Sequence, residues 1–232
     1  MSMWQTLARQ AAQALRSDTV APLLRALGLD APPRDRPQLG LTFTIAIVAL
    51  SAKMAKSDGF VTTDEVAAFR RVCQFPPSEA DNVRRVFDLA KQDVAGYETY
   101  ATQVGHLLAD EPDLRRDVLE ALFVIAAADG ILHGKEDRFL ASVARHLGIA
   151  PSELAWVRSL FVADAGGPYQ ILGLEPSATD AEVKARWRKL AVEHHPDRLV
   201  GHGVPEEFVT IAERKLASIN AAYEAIVEER GL

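Results

Sequence analysis

DAEVKARWRKLAVEHHPD, Asp180 to Asp197, decides how this 232-residue chain is read. Val183, Trp187, Leu190 and His194 recur at spacings of three and four, which puts them on one face of a helix. Proline disfavours helical dihedrals in the residue before it, so the helix is predicted to stop at His194 or His195. Downstream, Phe208, Ile211, Ala212, Leu216, Ile219, Tyr223 and Ile226 carry the same period over a longer stretch. Between the two, Gly201 and Gly203 mark a polar loop, and Pro205 suits the first turn of the next helix. The prediction is two antiparallel helices joined by a loop that displays His195 and Asp197 to solvent.

Working outward, the rest of the chain also reads as helix. Helical patterns cover 39–56, 63–73, 78–92, 96–108, 112–128, 134–147 and 151–161, with no sustained alternation of β-branched and polar residues. The fold class is all-α. Ala31-Pro32-Pro33-Arg34-Asp35-Arg36-Pro37 and Ala163-Asp164-Ala165-Gly166-Gly167-Pro168 punctuate the chain. They divide it into an N-terminal amphipathic extension and linker (1–37), a helical domain (38–162), a Gly-rich joint (163–167) and a C-terminal domain (168–232).

Composition narrows the function. Hydrophobic residues make up 48% and charged residues 25%, as in an ordinary soluble globular protein. A formal charge of −6 argues against nucleic-acid binding, which is carried by a basic surplus. Cys73 is the only cysteine, so no intramolecular disulfide forms and a reducing compartment fits. The N-terminus carries no secretory pattern, and the expected location is cytoplasmic. The most apolar run, Leu39 to Ala52, is shorter than the roughly 20 residues that cross a bilayer, so no membrane-spanning segment is expected. Trp4, Leu7, Ala11 and Leu15 share one helical face in the extension, a pattern compatible with packing on the protein itself or with peripheral membrane contact.

The middle domain contains an internal repeat. Met54-Ala55-Lys56-Ser57-Asp58-Gly59-Phe60-Val61 precedes Glu65, and Ile125-Ala126-Ala127-Ala128-Asp129-Gly130-Ile131-Leu132 precedes Glu136. Each copy reads as a helix closed by Asp-Gly and followed by a new helix, with Thr62 and Glu65 at capping-box spacing. Glycine six and glutamate twelve residues into a loop suggest an EF-hand. That reading fails, because Met54, Lys56, Ile125 and Ala127 would occupy ligand positions and supply no oxygen. Another metal site, built across the copies from Asp58, Glu65, Asp129, His133 and Glu136, stays open beside the capping role of the same carboxylates. No cofactor is predicted.

These repeats resemble the TerB-like (tellurite-resistance B) helical domain over about half the chain. The C-terminal segment resembles a J-domain on four motifs in order: Tyr169-Gln170-Ile171-Leu172-Gly173-Leu174, Trp187-Arg188-Lys189-Leu190-Ala191, His195-Pro196-Asp197-Arg198 and Ile219-Asn220-Ala221-Ala222-Tyr223. The order of the two segments looks like the DjlA-type family of DnaJ-like co-chaperones, whose members typically begin with a transmembrane segment.

The resemblance implies a chain that binds a DnaK-type chaperone and stimulates its ATP hydrolysis without being an enzyme itself. The contact would use His195, Pro196, Asp197 and Arg198 with the basic helix bearing Lys184, Arg186, Trp187, Arg188 and Lys189. Taken alone, that charge run equally describes a solvated helix face. Trp187 has the spacing of the helix seam, while its family position can touch the partner. Val183, Leu190 and Ala191 are predicted to pack against Ile211, Ile219 and Tyr223. The TerB-like domain would supply client or location specificity. The alternative is a stress-response scaffold in which that domain binds metal or a partner and the J-domain is accessory.

Overall fold

The computed structural model describes residues 33, 35–57, 81, 84, 87, 96–127, 131–162, 165–201 and 204–231. The N-terminal amphipathic face, Cys73 and the first Asp-Gly turn with Glu65 lie outside them, as does Asp129-Gly130. Among the described residues the chain forms nine α-helices and one 3-10 turn, with no strand.

Helix α1 (Arg36–Ser57) is the centre of the first core. Its start is held by Asp35, whose carboxylate accepts the Gln38 N–H at 2.9 Å. From Thr42 to Met54 every side chain is buried, as a helix that is apolar nearly all round requires. Helices α2 (Tyr97–Leu107), α3 (Pro112–Ala126) and α4 (Gly134–His146) pack around it, and α5 (Pro151–Phe161) packs on α3 and α4. Proline opens α3 and α5, where its missing N–H costs nothing. Gly105 lets α2 cross the end of α4, because a Cβ there would stand 2.9 Å from the His146 carbonyl oxygen.

The C-terminal part begins with α6 (Pro168–Leu172), closed by Gly173 in the left-handed conformation (φ 65°). Helix α7 (Asp180–Glu193) opens on a reciprocal cap. The Thr179 N–H donates to Glu182 at 2.7 Å and the Glu182 N–H returns to Thr179 Oγ1 at 3.3 Å. It stops at His194, as the following His-Pro pair predicts. The stretch read as an open loop instead holds a short helix, α8 (Pro196–Gly201), because proline is tolerated at a helix's first position. A 3-10 turn (Glu206–Phe208) then leads into α9 (Val209–Arg230).

The predicted seam between α7 and α9 forms, with two corrections. Val183 and Leu190 pack against Ile219, Ala222 and Ile226, with Trp187 and Tyr223 alongside, while Ala191 stays outside this core. Ile211 does not join the seam: with Leu199, Val204, Phe208 and Ala212 it belongs to the first core. Phe208 meets Phe43 of α1 edge-on, ring centroids 5.3 Å apart. Leu160 of α5 goes the other way and packs in the second core. Each core therefore contains side chains from the other domain. The helical period dictates which face of α9 is buried but not which neighbour buries it.

Candidate functional site

Helix α7 sets the first half of the site. Lys184, Arg188 and Lys189 are exposed, and Lys189 lies 3.7 Å from Glu193 one turn on. Arg186 is half-buried, and its Nε donates to the Leu172 carbonyl at 2.9 Å, tying α7 to α6. Trp187 stacks on Tyr223 (centroids 4.4 Å, planes 12° apart) and donates its indole N–H to Asn220 at 2.8 Å. That assigns Trp187 to the seam.

His195, Pro196 and Asp197 sit where α7 ends and α8 begins. The His195 side chain is 53% exposed and that of Asp197 92%, so both are open to a partner. The Asp197 N–H donates to His195 Nδ1 at 3.3 Å, which holds the imidazole against the start of α8. Arg198 turns back and donates to the Glu193 carbonyl at 2.8 Å, with Asp113 of α3 3.9 Å away.

Behind this loop lies a cavity of about 440 Å³ between the two domains. His194 forms part of its wall, with its ring against Trp156 of α5 (centroids 5.4 Å). Burial, reinforced by the charges of Lys215, Arg116 and Arg198 and opposed by Asp113, pushes the imidazole pKa down to about 3. His194 is neutral at physiological pH. Across the cavity Lys215 of α9 is buried with its Nζ 2.6 Å from Glu120 and 3.4 Å from Asp117, both on α3. Arg116 approaches Glu120 at 3.6 Å and pairs with Asp113 at 2.7 Å and Glu153 at 3.2 Å. Desolvation raises the Glu120 pKa to about 7; Asp117 adds to the rise, while Lys215 and Arg116 oppose it.

The family model of the tellurite resistance protein TerB matches residues 44–159, and that of the DnaJ domain matches residues 167–230. The co-chaperone protein DjlA of Photobacterium profundum is 31% identical over 216 residues, covering 82% of this chain and 78% of that protein. The chain belongs to the DjlA family. DjlA of Coxiella burnetii is 28% identical over 200 residues, 77% of this chain and 74% of its own length. DjlA of Escherichia coli K12 is 33% identical over 143 residues, 51% of this chain and 53% of that protein. No solved structure matches the chain.

Among the predicted site residues, the structure brings His195, Pro196, Asp197 and Arg198 to the loop end of the J-domain and leaves Lys184, Arg188 and Lys189 exposed on α7. Arg186 and Trp187 are engaged inside the J-domain. Of the metal candidates, Asp58, Glu65 and Asp129 lie outside the described residues. Glu136 accepts the His133 N–H at 2.9 Å, so these two residues close the N-terminus of α4. No group of three or more His, Cys, Asp or Glu residues among the described residues is placed to hold a metal ion. No described helix is long and apolar enough to cross a membrane.

The residues that sequence reasoning missed are those between the domains. Lys215 falls on the apolar stripe of α9, between Ile211 and Ile219, which signals a buried partner for its charge. The partner stripe is Asp113, Arg116, Asp117 and Glu120, at helical spacing along α3.

Proposed function

We propose that this chain is a J-domain co-chaperone that binds a DnaK-type chaperone and stimulates its ATP hydrolysis. The observation that carries the reading is the exposed His195-Pro196-Asp197 turn at the end of α7, beside exposed Lys184, Arg188 and Lys189, in a segment matched by the DnaJ domain model. The basic helix steers the chain onto an acidic surface of the partner, and the loop fixes the register of the contact. The chemistry belongs to the partner's nucleotide site. This chain accelerates it by binding the hydrolysis-competent arrangement more tightly than the alternatives, which shifts the partner's conformational population. The chain needs no catalytic group of its own for that role. Its TerB domain chooses the client or the location, and the site of action is the cytoplasm.

The test is the steady-state ATPase rate of a DnaK-type chaperone with wild type and His195→Gln side by side. Wild type accelerates hydrolysis and the variant does not. Equal stimulation by both would overturn the reading.

A further inference from the structure

The signature loop is exposed, yet the residues on both sides of it are held by the other domain. Immediately before it, the His194 ring lies on Trp156 of α5. Immediately after it, Leu199 is buried in the first core, followed by Val204 and Phe208, with Phe208 against Phe43 of α1. The J-domain's own core consists of Leu172, Val183, Leu190, Ile219, Ala222 and Ile226, joined by Leu160 from α5. None of the apolar residues between Leu199 and Ala212 is in that core. The loop end of the hairpin thus takes its hydrophobic support from the TerB domain.

We infer that the TerB domain positions the His195-Pro196-Asp197 loop for the partner chaperone, with Trp156 and Phe43 as the positioning residues. This rests on the proposed function and gives the TerB domain a role besides client or location. Trp156 is well placed for it. Its indole N–H donates to the Ile171 carbonyl at 2.9 Å, fixing α5 against α6, while its ring packs against His194 (centroids 5.4 Å) and so anchors the end of α7 in place. Phe43 is fully buried and meets Phe208 edge-on, so it fixes the return of the chain into α9. A loop anchored at both ends is populated in one arrangement. A loop that samples several binds its partner more weakly in proportion to the fraction that is competent, with the bound complex unchanged. Loosening the anchors therefore raises the concentration needed for half-maximal stimulation and spares the maximal rate.

The experiment uses the full chain as wild type, Trp156→Ala, Trp156→Phe and Phe43→Leu. Phe43→Leu keeps an apolar side chain in the first core and removes the ring contact to Phe208. Amide hydrogen exchange across 195–201 is measured alongside stimulation of a DnaK-type ATPase. In Trp156→Ala and Phe43→Leu, exchange of the loop amides is expected to rise roughly tenfold while those of α3 keep their protection. The half-maximal concentration is expected to rise about fivefold at an unchanged maximal rate. Trp156→Phe, which retains a ring on His194, restores both. Loop exchange equal to wild type in both loosened variants would overturn the inference, as would faster loop exchange with no change in half-maximal concentration. A wild-type chain that stimulates no ATPase defeats the proposed function instead, and the exchange comparison then decides the positioning role alone.

Discussion

Lys215 of α9 and Glu120 of α3 form a buried ion pair across the domain boundary, Nζ to Oε2 2.6 Å, with Asp117 3.4 Å from the same ammonium. Removing Lys215 leaves Glu120 buried with Arg116, 3.6 Å away, as its remaining cation. The carboxyl then keeps its proton and stays buried without its main partner, whereas replacing both by apolar groups of similar length leaves no such polar group. Lys215→Met is expected to cost about 1–3 kcal/mol. The double variant Glu120→Met/Lys215→Met is expected to recover most of that loss. Urea unfolding of wild type, Lys215→Met and the double variant checks it. A double variant as unstable as Lys215→Met would show that the pair is not what holds this boundary.

Glu120 also predicts a pH dependence. Its pKa is about 7 in the fold, above the ordinary 4.5, chiefly because it is desolvated. Between those values the folded chain keeps a proton that the unfolded chain has released, so stability falls as pH rises from 4.5 to 7 and levels off above. The loss for this group is about 3 kcal/mol. Glu120→Gln removes it. Relative to the variant, wild type is expected to be weaker at pH 7.5 than at pH 4.5 by that amount in urea unfolding. A constant difference across the range would refute the assignment.

His194 acts with the opposite sign. Its pKa of about 3 lies below the ordinary 6.5 because the ring is buried and faces Lys215, Arg116 and Arg198, with only Asp113 opposing. The unfolded chain takes up a proton that the folded chain refuses, so stability is lost as pH falls from 6.5 towards 3. The slope approaches about 1.4 kcal/mol per pH unit at most. His194→Phe, which keeps an aromatic ring against Trp156, is expected to flatten the acid limb below pH 4.5, where Glu120 no longer contributes. Between pH 4.5 and 6.5 the Glu120 and His194 effects oppose each other, so each variant should show a steeper curve than wild type there. An acid limb unaltered in His194→Phe would place the proton uptake elsewhere.

The helical hairpin is legible in the sequence because its signals are local. The three-and-four spacing of Val183, Trp187 and Leu190 marks a buried face, and Pro196 marks the stop at His194. What surrounds the hairpin is not local. Phe208, Ile211 and Ile219 share one periodic stripe, yet the first two are buried by the TerB domain and the third by α7. Helical period carries no information about which element covers a face. Likewise the exposure of His195 follows from its place in a tight loop. The burial of Lys215 follows only from meeting the acidic stripe of α3, which lies about a hundred residues earlier.

Trp187 separates a seam role from a partner role. Its ring stacks on Tyr223 at 4.4 Å and its N–H reaches Asn220 at 2.8 Å. Trp187→Ala is expected to destabilise the J-domain by about 3–5 kcal/mol through the cavity it leaves. Trp187→Phe keeps the stack and loses one hydrogen bond, worth about 1 kcal/mol. Because the indole faces the seam, Trp187→Phe should stimulate a DnaK-type ATPase at the wild-type half-maximal concentration. A shift in that concentration without loss of stability would instead place Trp187 in the contact with the chaperone.

The exposed cations of α7 predict a dependence on ionic strength. Lys184, Arg188 and Lys189 are exposed, while Arg186 is committed to the Leu172 carbonyl. Charges of the first kind act through encounter and orientation, which salt screens over about 8–10 Å. Charge reversal at Arg188 or Lys189 is therefore expected to raise the half-maximal concentration for ATPase stimulation roughly tenfold at low salt, and by much less at 0.5 M salt. The maximal rate should change little, because the His195-Pro196-Asp197 loop is intact. Arg186→Ala should behave differently, loosening α6 from α7 and lowering the melting temperature at any salt concentration. If reversal at Arg188 and Lys189 weakened stimulation equally at low and high salt, the basic face would be acting through fixed short-range contacts rather than through steering.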